Sequence, residues 1–183
     1  QLTSAWMDLD SVDFHNEPFD CAILLGHGGF PADWNRVKLF DEWLVPVCSP
    51  EFQGGSPWTA ARLADAALIH PSRDCRDWRR WLQRVGWVES VNWQQGKLFD
   101  TLELGISAAA QGHGISIGDL ALVRAELRKG SLMLPFDQAV RSGDSYYLVW
   151  PAAGETPPTL SRMKDYLLQH LPDIGSCGVR LLD

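Results

Sequence analysis

The chain has 183 residues, of which 45% are apolar and 21% are charged, a globular composition that excludes wholesale disorder. The length fits one domain or two small lobes. Its 16 Lys and Arg residues against 23 Asp and Glu residues give a net charge of −7, which argues against DNA binding by this chain alone, because that requires clustered basic charge.

The first part of the chain alternates apolar strands with turns. Residues 20–25 form a mostly apolar run that ends at Gly26-His27-Gly28-Gly29, a pattern typical of a buried strand entering a flexible turn. Residues 43–48 predict a second strand, in which Pro46 indicates an edge or crossover position because proline donates no ladder hydrogen bond. Residues 49–57 are rich in turn formers and predict a boundary between two lobes.

Helices and short strands then alternate to the end of the chain. Strands are predicted at residues 67–70, 97–99, 115–117, 132–134 and 145–150. One helix has Trp78, Trp81, Leu82 and Val85 on a single face and ends at Gly86. Three more helices are predicted over residues 101–111, 120–129 and 158–171. This alternation predicts an α/β protein with mainly parallel sheets.

One motif suggests a serine nucleophile. Gly114-Ile115-Ser116-Ile117-Gly118 matches the Gly-x-Ser-x-Gly pattern of a hydrolase, with Asp137 or Asp144 and His170 following in the hydrolase order. A nucleophile elbow needs a strand before the serine and a helix directly after it, whereas here Ser116 lies within the predicted strand. A serine hydrolase is therefore kept only as an alternative, and we expect no enzymatic activity.

Other cofactor and targeting signals are absent from the sequence. Its five histidines show no metal-ligand spacing, and no phosphate-binding glycine loop is present, so no metal or cofactor is predicted. The four cysteines show no Cys-x-x-Cys spacing and are predicted to be free thiols in a reducing cytosol. No apolar run approaches the roughly 18 residues that span a bilayer, and no signal segment opens the chain. We therefore expect a cytoplasmic protein without a membrane partner.

Two residues have a physical rationale for binding a ligand. Arg73 follows a predicted strand, the place where α/β folds bind ligands. Thr101 lies at a predicted helix N-terminus, where free N–H groups and the helix dipole favour anions such as carboxylates. A solvated helix face around Arg73 and a plain N-cap at Thr101 explain the same patterns.

The order of these segments resembles the effector-binding domain of LysR-type transcriptional regulators, in the glycine-cleavage and β-lactamase (GcvA/AmpR-like) branch. The resemblance covers about residues 12–171. It rests on the order and spacing of several short segments: Val12-Asp13-Phe14, Asp20-Cys21-Ala22-Ile23, Leu39-Phe40-Asp41-Glu42, Pro46-Val47-Cys48-Ser49-Pro50, Leu68-Ile69-His70, Phe99-Asp100-Thr101, Gly112-His113-Gly114-Ile115 and Tyr146-Tyr147-Leu148-Val149.

The resemblance implies a two-lobed, periplasmic-binding-protein-like (type 2) fold with two crossover strands and a small-molecule cleft between the lobes. Residues 1–48 and 146–173 would form the first lobe, residues 49–145 the second, and residues 174–183 a flexible tail. The ligand-binding residues it implies, together with Arg73, are Thr101, Tyr146, Asp13, Gly26, His27 and His70. The function implied is effector sensing and oligomerisation, as a homodimer or tetramer, in a regulator that binds operator DNA through an N-terminal domain absent here.

The sequence departs from the family pattern at its beginning. The family has a further strand and helix upstream of the second strand, roughly thirty residues, so we expect the first lobe to be truncated at its N-terminus. Leu24 also stands where the family often has arginine, which removes any polar role there. A solute-binding protein of similar two-lobed shape is a second alternative, and a secretory signal in the complete gene would favour it.

Overall fold

The computed structural model describes residues 12–14, 16, 19–54 and 56–183. Its elements in chain order are β1 (Ala22–Gly26), β2 (Trp34–Val47), a 3-10 helix (Pro50–Gln53), α1 (Ala60–Ala64), β3 (Leu68–His70), α2 (Arg76–Val85), β4 (Lys97–Leu98), α3 (Leu102–Ala110), β5 (Ile115–Asp119), α4 (Leu120–Lys129), β6 (Gln138–Pro151), α5 (Pro158–Gln169), a second 3-10 helix (Ile174–Cys177) and β7 (Arg180–Leu182). No helix in the described part of the chain is long and apolar enough to cross a membrane.

The chain packs as two units. Unit 1 contains the described residues up to Glu42 together with Gly143–Pro172, and unit 2 contains the described residues of Trp43–Ser142 together with Asp173–Asp183. Because these boundaries lie inside β2 and β6, each of these long strands contributes to both units. They are the two crossover strands that the family resemblance implies. The exact residues at which one lobe ends and the other begins stay a prediction.

In unit 1, β1 pairs antiparallel with β6, so that Gly26 lies opposite Ser145. Leu148 on β6, Leu39 on β2 and Leu160 on α5 form the buried core of this unit. The predicted helix after residue 157 is confirmed as α5, which has proline in its first turn. The truncation of the first lobe that the family resemblance implies stays a prediction.

In unit 2, β5 lies at the centre of the sheet. It pairs antiparallel with β2 and parallel with β3, and β3 in turn pairs parallel with β4. Helices α1 and α2 cover one face of this sheet, and helices α3 and α4 cover the other. Neighbouring strand residues such as Leu68 and Ile69 point to opposite faces and therefore belong to different core clusters. The α/β class is therefore confirmed, but the sheet is mixed rather than mainly parallel.

Helix α2 has the amphipathic pattern that the sequence predicts. Trp78, Trp81 and Leu82 are fully buried, and Gly86 ends the helix in a left-handed conformation at φ 80°. Each buried indole keeps a hydrogen bond, from Trp78 Nε1 to the Ile69 carbonyl at 2.9 Å and from Trp81 Nε1 to the Gln138 carbonyl at 3.1 Å. The two tryptophans therefore fill the core without leaving a buried donor unsatisfied.

Three segments differ from the prediction. Residues 132–134 form only an isolated bridge, between Met133 and Cys48. Strand β2 begins at Trp34, well before the predicted residue 43, because charged residues in its first half hide the apolar pattern. Residues 174–183, predicted to be a flexible tail, contain a 3-10 helix and β7, since Ile174, Val179 and Leu182 pack against the unit 2 core.

Candidate functional site

Polar residues of unit 2 meet at the carboxyl ends of β3 and β4. His70 is the last residue of β3, Arg73 follows it, and Asp100 and Thr101 follow β4. The Phe99 backbone N–H donates to the His70 carbonyl at 2.9 Å, which holds the two segments together. The structure thus brings Arg73 and Thr101, both predicted to bind a ligand, to one edge of the sheet, where α/β folds bind ligands.

Thr101 is the N-cap of α3. Its backbone is extended at φ −141° and ψ 152°, and its hydroxyl oxygen accepts a hydrogen bond from the Leu104 N–H at 3.3 Å. The other N–H groups of a first helical turn have no partner within the helix, and the helix dipole adds partial positive charge. Glu103 in the same turn opposes that charge. The geometry suits a carboxylate that accepts hydrogen bonds from this turn.

Arg73 is held beside this helix terminus by Asp100. Its Nε and Nη2 atoms donate to one carboxylate oxygen of Asp100 at 2.9 and 2.7 Å. Both side chains are highly exposed, at 82% and 70%, so the pair contributes little to stability. A carboxylate ligand therefore competes with Asp100 for the guanidinium at low cost.

His70 lies beneath this edge rather than on it. The side chain is 1% exposed, and its Nε2 lies 3.1 Å from the Gln95 carbonyl. Gly96 packs directly over the ring, since a Cβ there would lie 2.7 Å from Nε2. The side chain supports the loop from below, and its role in binding stays a prediction.

In unit 1, a second polar group lies at the carboxyl end of β1. Gly26 ends the strand, and the exposed His27 places Nδ1 3.0 Å from a carboxylate oxygen of the nearly buried Asp144. The neighbouring Ser145 hydroxyl donates to Asp41 at 2.7 Å, and Lys38 pairs with the same carboxylate. Sequence reasoning predicted Gly26 and His27 but missed the Asp41–Ser145 contact, because 104 residues separate its partners.

The two adjacent tyrosines of β6 point to opposite faces, as strand geometry requires. Tyr146 packs against Phe40, with ring centroids 4.7 Å apart, beside the unit 1 core. Tyr147 packs edge-on against Phe30 at 5.1 Å, and its hydroxyl lies against Gly28. Tyr147 thus lies against the glycine turn after β1, a contact that the sequence analysis did not assign, whereas the binding role of Tyr146 stays a prediction.

Asp13 is engaged in a local turn. Its carboxylate accepts hydrogen bonds from the Asn16 backbone N–H at 3.2 Å and from the Asn16 side-chain amide at 2.5 Å. This is the turn that aspartate commonly forms with residues just after it. A ligand role for Asp13 stays a prediction.

The structure does not support the serine hydrolase alternative. Ser116, the second residue of β5, is fully buried, and its hydroxyl donates to the Ile117 carbonyl at 3.1 Å. Gly105 of α3 packs against it, since a Cβ there would lie 3.1 Å from the Ser116 hydroxyl. The nucleophile interpretation of Ser116 is wrong, because a substrate cannot reach it and the residue does not lie at a strand-to-helix turn.

Cys21, Cys48 and Cys75 are free thiols, and burial raises the pKa of the Cys48 thiol to about 11. Within residues 12–14, 16, 19–54 and 56–183, no three His, Cys, Asp or Glu side chains converge as a metal site would require.

Comparison with known proteins relates the chain to one family. Residues 7–172 match the family described as the LysR substrate binding domain. The glycine cleavage system transcriptional activator of Escherichia coli strain K12 is 34% identical over 133 residues, which cover 71% of this chain and 42% of that protein. The transcriptional activator AmpR of Citrobacter koseri is 28% identical over 164 residues, 86% of this chain and 53% of that protein.

A solved structure agrees with this relationship. The effector domain of the transcriptional regulator AmpR of Pseudomonas aeruginosa has a TM-score of 0.72 and 26% identity, over 88% of this chain and 76% of that one. The chain thus spans about half the length of the curated relatives and most of the solved effector domain. It belongs to the LysR substrate-binding domain family and has that family's type 2 periplasmic-binding-protein-like fold.

Proposed function

We propose that this chain is the effector-sensing domain of a LysR-type DNA-binding transcription regulator. The family match over residues 7–172 supports this function, as do the names of the relatives, which are transcriptional activators and regulators. The observation that carries the proposal is the position of Arg73 and Thr101, together at the carboxyl ends of two parallel strands and at the N-terminus of α3.

The effector is a small molecule with a carboxylate. Its carboxylate binds the first turn of α3, accepting hydrogen bonds from backbone N–H groups, while Arg73 exchanges Asp100 for the ligand. The Thr101 hydroxyl both caps the helix and contacts the ligand. Tyr146, Asp13, Gly26, His27 and His70 are proposed as further ligand residues from the family resemblance.

Effector binding would regulate DNA binding through a change in population. A ligand shifts an equilibrium between two conformations by as much as its affinities for them differ. In the complete regulator, a cytoplasmic homodimer or tetramer, this shift changes how separate N-terminal domains hold operator DNA. The net charge of −7 fits an effector-sensing domain that leaves the DNA contacts to the N-terminal domains.

A thermal unfolding screen tests whether the chain binds a carboxylate. The panel pairs free amino acids and short peptides with their C-terminal amides, so that each pair differs in the carboxylate alone. A ligand at 100 times its Kd adds about 2.7 kcal/mol to the free energy of unfolding, which raises Tm by roughly 5–10 °C in a chain of this length. We expect at least one carboxylate to do so and its amide to have little effect. If no carboxylate raises Tm, or if the amides act equally, the proposal fails.

A further inference from the structure

The described chain passes between the two units three times, at residues 42–43, 142–143 and 172–173. Strands β2 and β6 make the first two passages, and both lie within the part of the chain that matches the LysR substrate-binding domain family. The third passage follows helix α5 of unit 1 and returns the chain to unit 2. Because the family match ends at residue 172, the C-terminal segment, residues 173–183, lies beyond it.

Backbone pairing binds the C-terminal segment to unit 2. Strand β7 (Arg180–Leu182) pairs in parallel with residues 138–140 at the beginning of β6. The Arg180 backbone N–H also donates to the Asp137 carbonyl at 2.6 Å. The end of the chain is therefore an additional strand of the unit 2 sheet, and its release would leave these backbone groups without their partners.

Apolar side chains hold the same segment on both faces of that sheet. Ile174 and Val179 pack against the core cluster on the side of α3 and α4, whereas Leu182 packs against the cluster on the side of α1 and α2. Gly178 connects the second 3-10 helix to β7 in a left-handed conformation at φ 68°, which favours glycine. Removing these side chains from the core would expose apolar surface to water, so the segment is an integral part of unit 2.

The connection between α5 and the docked segment is short. His170 is the C-cap of α5, and only residues 171–173 separate it from Ile174, the first residue of the second 3-10 helix. Pro172 opposes any continuation of α5, because proline disfavours helical backbone in the residue before it. The four steps from His170 to Ile174 reach at most about 14 Å when fully extended. While the C-terminal segment stays docked, the end of α5 therefore cannot move farther than this from its attachment on unit 2.

We propose that the C-terminal segment is a strap that limits how far the two units move relative to each other. A movement within the reach of the connection leaves the strap in place. A wider movement requires β7 to leave β6 and Ile174, Val179 and Leu182 to leave the unit 2 core, which is a local unfolding event with its own free energy. The strap adds this cost to any resistance of the two crossover strands. It acts with or without a bound effector, so it does not depend on the site proposed at α3.

A longer connection tests the strap without removing any of its contacts. The strap variant carries about twelve additional glycine and serine residues between Pro172 and Asp173, a flexible insertion with an average span of roughly 20 Å. The control carries the same insertion between Gly154 and Glu155, which are exposed and belong to one loop of unit 1. Residual ¹⁵N–¹H dipolar couplings of the full chain in a dilute liquid crystal give the degree of alignment of each unit. We expect unit 1 to lose alignment relative to unit 2 in the strap variant, whereas the control should match the natural chain.

Hydrogen exchange of the Arg180 amide reports whether the strap is docked. This amide should be protected in the natural chain and in the control, because it donates to the Asp137 carbonyl. In the strap variant its protection should fall by at most about 10-fold, since the effective concentration of a tethered segment decreases with roughly the −3/2 power of the tether length. An Arg180 amide that exchanges in the natural chain as fast as in an unfolded chain would overturn the proposal. Unchanged relative alignment in the strap variant, or an equal loss of alignment in the control, would overturn it as well.

Discussion

Replacing Thr101 by valine removes one hydrogen bond and leaves the shape of the side chain almost unchanged. The bond that is lost, from the Leu104 N–H to the Thr101 hydroxyl, is 3.3 Å long. Loss of an N-cap side chain costs about 0.5–2 kcal/mol, and the length of this bond favours the lower half of that range. In a chain of this size we expect a decrease in Tm of roughly 2–4 °C.

A matched control exists in the same unit. Thr59 is the N-cap of α1, and its hydroxyl accepts from the Arg62 N–H at 3.2 Å. Thr59→Val therefore removes the same interaction at a helix that is not part of the proposed effector site. Urea unfolding followed by circular dichroism should give losses for the two variants that agree within about 0.5 kcal/mol. Thr101→Ser, which keeps the hydroxyl, should retain most of the stability.

The result that refutes this reasoning is a clear difference between the two variants. If Thr59→Val loses stability and Thr101→Val loses none, the hydroxyl of Thr101 does not cap α3. If Thr101→Val lowers the free energy of unfolding by more than about 3 kcal/mol, the side chain contributes more to stability than an N-cap does. Either outcome would also weaken the use of Thr101→Val as a probe of ligand binding.

Three further predictions concern other parts of unit 2. Gly114→Ala should lower the free energy of unfolding, measured by urea titration, by at least ~2 kcal/mol, because φ is 152° and a Cβ would lie 2.2 Å from the Ala67 carbonyl oxygen. Gly130→Ala, at φ 73° with open space around it, should lower it by only about 1–2 kcal/mol. Equal losses in the two variants would contradict the steric argument. Burial raises the pKa of Asp77, so its contribution to stability is fully present below its ordinary pKa and is lost as the pH rises through the raised value. The stability of Asp77→Asn relative to the natural chain should therefore increase as the pH rises from 3 to 7, and a decrease over that interval would contradict the direction of the pKa shift. Cys48, whose pKa burial raises to about 11, should react with iodoacetamide at pH 8 at least ~10-fold more slowly than the less buried thiols, and equal rates would contradict its burial.

Local sequence patterns predict the elements whose signal lies in neighbouring residues. The spacing of Trp78, Trp81 and Leu82, followed by Gly86, identifies the buried face and the end of α2. Thr101 is predicted as an N-cap for the same reason, since capping depends on residues within one turn. The first half of β2 escapes prediction, because its partners rather than its own apolar pattern define it.

The candidate site is predicted less completely than the fold. Arg73 and Thr101 stand out singly, by their positions after a strand and before a helix. Their proximity depends on Asp100, which lies 27 residues from Arg73 along the chain. The burial of His70 under Gly96 likewise arises from packing between segments 26 residues apart, and no local pattern encodes it. Ser116 shows that a local pattern can also mislead. The five-residue Gly-x-Ser-x-Gly motif matches, but the buried strand in which Ser116 lies excludes a role as a nucleophile.

The proposed effector site is tested most directly by calorimetric titration of the most stabilising carboxylate into three proteins. These are the natural chain, Thr101→Val and Thr59→Val. Hydrogen bonds to a charged group contribute about 1.5–3 kcal/mol, so the account predicts a Kd at least ~10-fold higher for Thr101→Val and an unchanged Kd for Thr59→Val. The same Kd for Thr101→Val as for the natural chain would contradict the placement of the effector at the N-terminus of α3.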